Sequence, residues 1–270
     1  MKRRPYRLLN RHIMAVMENE WTQLIRNRVV VFTTLVPTVL LVLLAIAVLG
    51  LSSFIPEAGQ ADRVLQRAGV EAPVFASSNT MLVGLLNPFL VLFQVIPLVV
   101  PITIASYSIV GEKQLRTLEP LLATPIKTWE LLAAKGLASA IPGVMSTWWG
   151  FALFAIAARL IGPDDVYTNL IISPTWLLAI VLLTPIFTFL AVGLGVIISS
   201  RVKDPNSAQQ LGSLVILPVI GMLVAQVSGA VHVGVSVVLW IAAAVAVIDV
   251  ALLWVSVRLF RREEILTAWQ

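Results

Sequence analysis

The stretch EKQLRTLEPLLATPIKTWELLAAKG, residues 112–136, is a charged island between two long apolar segments. It holds three glutamates, three lysines and one arginine, whereas only 12% of the 270 residues in the chain are charged. The apolar segments beside it, about 81–107 and 131–161, are each long enough to cross the roughly 30 Å of hydrocarbon in a bilayer. The island is therefore predicted to connect two membrane spans.

The composition of the whole chain agrees with this prediction. The chain is 59% hydrophobic, with a mean hydropathy of +0.93, while soluble domains are about 45–50% apolar and about 25% charged. It contains no cysteine, which excludes disulfides and thiolate metal sites. The chain is predicted to be an all-α integral membrane protein.

The apolar runs divide the chain into three parts. Residues 1–28 form a predicted amphipathic interfacial helix, 29–257 a domain of six transmembrane helices that includes a connecting segment at 112–130 within the island, and 258–270 a tail. The predicted spans cover about 29–51, 81–107, 131–161, 176–199, 211–227 and 236–257. The segment 200–210 is predicted to be a loop, and Gly111 to end the second span.

Basic residues predict how the spans are oriented. Of the 19 Lys and Arg residues, all but Arg63, Arg67 and Arg159 lie in the two terminal segments, the island or the 200–210 loop. Since Lys and Arg are retained on the cytoplasmic side, both termini are predicted to be cytoplasmic in a multi-pass protein of the plasma or inner membrane. Trp176 is predicted to belong to the aromatic belt at the outer surface.

The N-terminal segment is predicted to bind membrane lipid. Apolar residues recur at helical spacing between Leu9 and Ile25, among basic residues and with a tryptophan at position 21, a pattern typical of an interfacial helix. The alternative is a solvated lead-in to the first span. Although the isoelectric point is near 10.0, the basic residues follow the membrane rule, so nucleic acid is not a predicted partner.

Signatures of enzymes do not occur in the chain. It lacks the HExxH, GxSxG and phosphate-loop motifs. The two histidines, His12 and His232, fall on opposite sides of the membrane in the predicted topology and cannot share a metal. No catalytic residue, metal site or cofactor is predicted for this chain.

A few polar and aromatic side chains inside the spans are candidates for a substrate path. These are Gln94, Trp148, Trp149, Gln226 and Asp249. A carboxylate near the middle of a membrane is costly and is a functional hypothesis by default. Structural roles remain open for all of them: helix packing for the tryptophans, and a protonated or hydrogen-bonded state for Asp249.

Small residues at four-residue spacing predict close helix packing in two spans. They are Ser139, Gly143 and Thr147 in span three and Ala191, Gly195 and Ser199 in span four.

The island itself has the pattern of a short amphipathic helix. Glu112, Arg116 and Glu119 share one helical face, and leucines at 115, 118 and 122 form a neighbouring apolar stripe. Thr124-Pro125 is predicted to break this helix, and a new helix is predicted from 128. The alternative, a solvated connector, would not need the leucine stripe.

The island resembles the cytoplasmic signature of type-2 ATP-binding-cassette (ABC) transporter permeases, E-K-x-x-G-T-L-E-x-L-L-x-T-P-x-x-x-x-E-L-L-x-x-K. The residues that match it are Glu112, Lys113, Thr117, Leu118, Glu119, Leu121, Leu122, Thr124, Pro125, Glu130, Leu131 and Lys135. The sequence departs from the family pattern at two positions, since Arg116 replaces the usual glycine and Pro120 follows the glutamate.

The resemblance implies a function for the chain. It would be the permease subunit of an ABC exporter, assembled as a homodimer with two copies of a cytoplasmic ABC ATPase subunit that carries the ATP and Mg. The residues that would meet the ATPase are Glu112, Lys113, Arg116, Thr117, Glu119, Thr124 and Pro125. The alternatives are an ion-coupled secondary transporter that uses Asp249 and a membrane enzyme or scaffold subunit.

Overall fold

The computed structural model describes residues 17–18, 21–22, 24–50, 78–114, 128–202 and 204–259. Almost all of these residues are helical, and none of them forms a strand. Six helices are long and apolar enough to cross a membrane, and they are called spans one to six: Val30–Gly50, Leu82–Ser108, Ala133–Ile161, Pro174–Arg201, Pro205–Val227 and Val235–Val255. The predicted all-α fold with six spans is confirmed.

Span one is a single helix, Arg28–Gly50, and span six is another, Val235–Leu259. Span two joins the helices Ser78–Phe93 and Ile96–Gln114, and span three is the helix Thr128–Ile161. A short helix, Asp164–Val166, and the π-helix Tyr167–Ile171 precede span four. Span four consists of Pro174–Leu178, the π-helix Ala179–Leu183 and Thr184–Arg201. Span five consists of Pro205–Ser213, the 3₁₀ turn Leu214–Ile216 and Leu217–Val227.

Span two is the centre of the bundle. Its most apolar window is 83% buried, whereas the corresponding windows of the other five spans are between 6% and 44% buried. Spans three, four and five pack against its second helix, Ile96–Gln114. The element that leads directly into the charged island is therefore also the element that most of the bundle contacts.

Glycines permit two of these contacts. A Cβ added at Gly143 in span three would lie 2.6 Å from Cγ of Pro101, and one at Gly195 in span four would lie 3.0 Å from Cβ of Ala105. Real Cβ atoms almost never approach other atoms as closely as the first of these distances. The predicted close packing on the small-residue faces of spans three and four is confirmed, and both faces meet span two.

A third glycine in span five makes a similar contact that the sequence analysis did not identify. A Cβ added at Gly212 would lie 2.4 Å from Cγ2 of Ile102. Ala208 lies four residues before Gly212, but Ile216 follows four residues after it, so the pattern of small residues is shorter here than in the other two spans.

The prediction that Trp176 lies in the outer aromatic belt is wrong. Its side chain is buried and stacks on Phe154, with ring centroids 6.0 Å apart. Phe151 and Phe93 extend this aromatic cluster into spans three and two. The connection before span four is folded rather than open, and it buries Ile171 close to this cluster. This folded connection explains why Trp176 lies in the core.

Two predicted boundaries also differ from the structure. The helix of span two continues through Gly111 to Gln114, because glycine inside a helix lowers its stability without ending it. The predicted loop 200–210 is mostly helical from Pro205 onward. Asp204 caps this helix by accepting a hydrogen bond from Ser207 N at 2.9 Å, and proline suits the first helical position.

Candidate functional site

The charged island begins and ends as continuations of two spans. Glu112 and Lys113 lie in the last turn of the helix Ile96–Gln114, and the helix of span three begins at Thr128, as predicted. The other predicted contact residues, namely Arg116, Thr117, Glu119, Thr124 and Pro125, and the leucine stripe lie outside the described residues.

A buried lysine joins the two helices that flank the island. Lys135 is only 5% exposed, and its Nζ donates a hydrogen bond to Oγ of Ser108 at 2.9 Å. One turn later, Oγ of Ser139 donates to the carbonyl of Lys135 at 2.9 Å. A buried ammonium group must be hydrogen-bonded because its desolvation is costly, so this contact fixes the end of span two to the start of span three.

Two further hydrogen bonds join the same part of span two to span five. Tyr107 Oη donates to Asn206 Oδ1 at 3.3 Å, and Gln209 Nε2 donates to Thr103 Oγ1 at 3.1 Å. The helices that emerge at the island are therefore linked by side-chain hydrogen bonds to the first helix of span five as well.

Deeper in the membrane, span two is interrupted beside a π-helix of span four. The backbone forms a turn at Gln94 and Val95, between the two helices of span two. Gln94 is buried, and its Nε2 donates a hydrogen bond to the carbonyl of Ala179 at 3.0 Å, where the π-helix Ala179–Leu183 begins. The amide therefore connects the two irregular segments.

Trp148 of span three makes the second contact with this π-helix. Its indole Nε1 donates to the carbonyl of Ile180 at 3.1 Å. In a π-helix, the carbonyl of residue i accepts from the N–H of residue i+5, and for Ile180 that residue is Pro185, which has no N–H. The tryptophan supplies the missing donor, as neighbouring side chains commonly do for proline-containing membrane helices.

The other three candidate path residues do not form hydrogen bonds with the π-helix of span four. Trp149 is exposed on span three. Gln226 Nε2 donates to the carbonyl of Asn87 at 3.2 Å, which joins span five to the first helix of span two. Asp249 Oδ1 is buried on span six and accepts no hydrogen bond from the described residues. The five candidates are thus divided among several separate positions.

A cavity of about 320 Å³ lies between spans two, four, five and six. Its walls are aliphatic and aromatic side chains, with Gln94 as the polar residue among them. Neither tryptophan of span three lines it, and Asp249 does not. Gln94 was a candidate from the sequence, but the cavity was not predicted. The only sequence features that point to it are helix-breaking prolines near Gln94 and in span four.

We expect Trp148→Phe to lower the stability of the bundle by about 1 kcal/mol, because side-chain hydrogen bonds between membrane helices contribute on average about 0.6 and at most about 1.7 kcal/mol. The change keeps an aromatic ring but leaves the carbonyl of Ile180 without the indole donor. Thermal unfolding of the purified chain in detergent measures the effect.

The matched control is Trp149→Phe, on the exposed neighbour, which is expected to change little. Pro185→Ala restores an N–H at position 185, so Trp148→Phe should cost less in that background. Equal effects of Trp148→Phe with and without Pro185 would contradict the role given to the indole.

The fold and the arrangement at the island define a multi-pass, all-α membrane protein whose most buried span leads into a charged connection. The family model described as "ABC-2 family transporter protein" matches residues 70–252, which is more than half of the chain. The chain therefore belongs to the ABC-2 transporter family, as the resemblance of the island predicted, and it is the membrane subunit of an ABC transporter that associates with an ABC ATPase partner. A comparison with curated proteins gave no match.

Proposed function

We propose that this chain is the permease subunit of an ABC exporter and that residues 112–130 are the coupling segment that binds the ATPase. The observation that carries the proposal is the position of this segment: it connects the central span to span three, and the buried Lys135–Ser108 contact joins the two helices beside it. Membership of the ABC-2 family supports an ATPase partner.

In this proposal, ATP binding closes two ATPase subunits, and the closure displaces the coupling segment. The displacement passes into the helix Ile96–Gln114, which is continuous with the most buried part of the bundle. Hydrogen bonds from Lys135 and Tyr107 carry it to spans three and five. ATP and Mg belong to the ATPase, and the permease supplies the path and the conformational change.

The proposed assembly is a homodimer of this chain with two ATPase subunits in the plasma or inner membrane, with both termini cytoplasmic. The distribution of Lys and Arg along the sequence supports this orientation. The predicted contact residues of the coupling segment, from Glu112 to Pro125, remain part of the proposal.

Cells that express the permease with its ATPase are expected to accumulate less of an exported dye than matched cells whose ATPase carries an alanine in place of its phosphate-loop lysine. The reason is that hydrolysis requires this lysine. A panel of fluorescent dyes of different charge and polarity, measured by flow cytometry, serves as the substrate screen.

The sign of the difference in dye accumulation between the two kinds of cell tests the proposal. Greater accumulation in the cells with active ATPase would contradict export. Transport that is unchanged by the ATPase variant but depends on an ion gradient would favour the ion-coupled alternative. The supporting observation is that the buried Oδ1 of Asp249 accepts no hydrogen bond from the described residues. Membrane vesicles with imposed ion gradients separate these outcomes.

A further inference from the structure

The cavity lies where two neighbouring spans are both irregular. Gln94, at the interruption of span two, and Ala179 and Leu183, at the two ends of the π-helix in span four, all line it. π-helical turns occur frequently at functional sites. Irregular backbone within a membrane is tolerated where it is buried in protein or lines a cavity. In many secondary transporters, substrates bind where transmembrane helices are discontinuous, and this cavity lies at a comparable interruption of two spans.

The walls of the cavity restrict the chemistry of a ligand. Apart from Gln94, every side chain that lines it is apolar, Phe187 and Met222 included, and none of these described residues is charged. An ion would lose its hydration there without gaining a partner, which is costly. A volume of about 320 Å³ falls at the lower end of the range of small-molecule sites, roughly 300–1,000 Å³.

Gln94 provides the one polar group that could orient a ligand. Its Nε2 is used by the carbonyl of Ala179, but its Oε1 is buried and has no hydrogen-bond partner among the described residues. The side chain is 3% exposed. A buried acceptor without a donor is unfavourable by about 1–3 kcal/mol, so a ligand that donates a hydrogen bond would relieve this cost.

We propose that this cavity, inside a single chain, binds an uncharged and mostly apolar small molecule that donates one hydrogen bond to Oε1 of Gln94. Such molecules are the class of substrate that the transporter accepts from the bilayer. The assignment of these molecules as substrates rests on the proposed function, whereas the proposed binding site does not. The proposed site differs from a path formed between two permease chains, because its lining residues come from four spans of one chain.

The test measures binding of 1-aminoanthracene to the full chain in lipid nanodiscs without ATP, with empty nanodiscs as the blank. This probe is uncharged at neutral pH, apolar and carries an amine donor. We expect saturable binding by the native chain and a loss of about tenfold or more in affinity, equivalent to 1.4 kcal/mol or more, in Val245→Phe, whose ring would occupy the cavity.

The matched control is Val247→Phe on the same helix. Val245 lines the cavity and Val247 is 71% exposed, so the same substitution leaves the cavity open at the second position. A second pair lies on span five, where Val219 lines the cavity and Val224 is exposed. Val219→Phe should reproduce the loss, and Val224→Phe should bind like the native chain, which keeps the test valid if one variant folds poorly.

Two related probes test the chemistry of the ligand. Anthracene has the same ring system without the donor, and we expect it to bind about two- to tenfold more weakly, as the net contribution of one hydrogen bond predicts. Anthracene-1-sulfonate adds a charge, and we expect it not to compete with 1-aminoanthracene.

Equal affinity in Val245→Phe and Val247→Phe would overturn the proposal, and so would competition by the sulfonate. A phospholipid that fills the cavity in native mass spectra and is not displaced by the probe would overturn it too. Because binding is measured without ATP, these failures leave the exporter assignment intact. Conversely, saturable binding with no ATP-dependent change in dye accumulation would retain the site and refute the proposed function.

Discussion

The double substitution Glu112→Lys with Glu119→Lys is expected to lower ATP-driven transport by about tenfold or more, because like charges brought together at an interface cost several kcal/mol. The two carboxylates are predicted to share the face of the coupling segment that meets the ATPase. Glu112 lies in the helix turn beyond the end of span two at Ser108. Because positions 112 and 119 both lie outside the six spans, the six-span fold should persist.

Three measurements separate this effect from misfolding. Size-exclusion chromatography of the permease tests the fold, co-purification tests binding of the ATPase, and the ratio of transport to hydrolysis tests coupling. Glu18→Lys makes one such glutamate-to-lysine change at an exposed helical position near the N-terminus and should leave all three unchanged. Native assembly and transport in the double variant would count against the coupling segment.

The six spans were predictable from the sequence because a bilayer fixes the length and polarity of a span almost independently of the rest of the fold. The close packing at Gly143 and Gly195 was predictable for a similar reason: small residues at four-residue spacing form one face of a helix. The spacing does not indicate which helix packs against this face. That both faces pack on span two depends on the arrangement of all the helices.

The roles of the polar residues inside the spans were harder to predict from the sequence. Gln94 was a candidate because it is polar inside a span, and Trp148 because it lies in the middle of one. Their hydrogen-bond partners, however, are carbonyls of a π-helix tens of residues further along the chain. Trp176 was misplaced because its burial depends on how the preceding connection folds. The cavity is lined by side chains from four spans, so no local sequence pattern predicts it.

A single added methyl group at Gly143 is expected to destabilise the whole bundle by about 1–3 kcal/mol, the usual cost of overpacking a core. In Gly143→Ala the new Cβ would lie 2.6 Å from Cγ and 3.0 Å from Cδ of Pro101. A proline ring cannot rotate away, because it is closed on the backbone of the most buried span. The higher helix propensity of alanine, worth about 1 kcal/mol, offsets only part of this cost.

Thermal unfolding in detergent, followed by tryptophan fluorescence, measures this loss, and Gly221→Ala is its control. Gly221 lies inside a helix of span five with nothing within 4 Å of an added Cβ, so the same substitution there should not lower the midpoint. Pro101→Ala removes the ring atoms that clash and should suppress the effect of Gly143→Ala, a coupling that a double-mutant cycle isolates. If Gly143→Ala proves as stable as Gly221→Ala, spans two and three do not approach each other at this glycine as closely as the distances to Pro101 indicate.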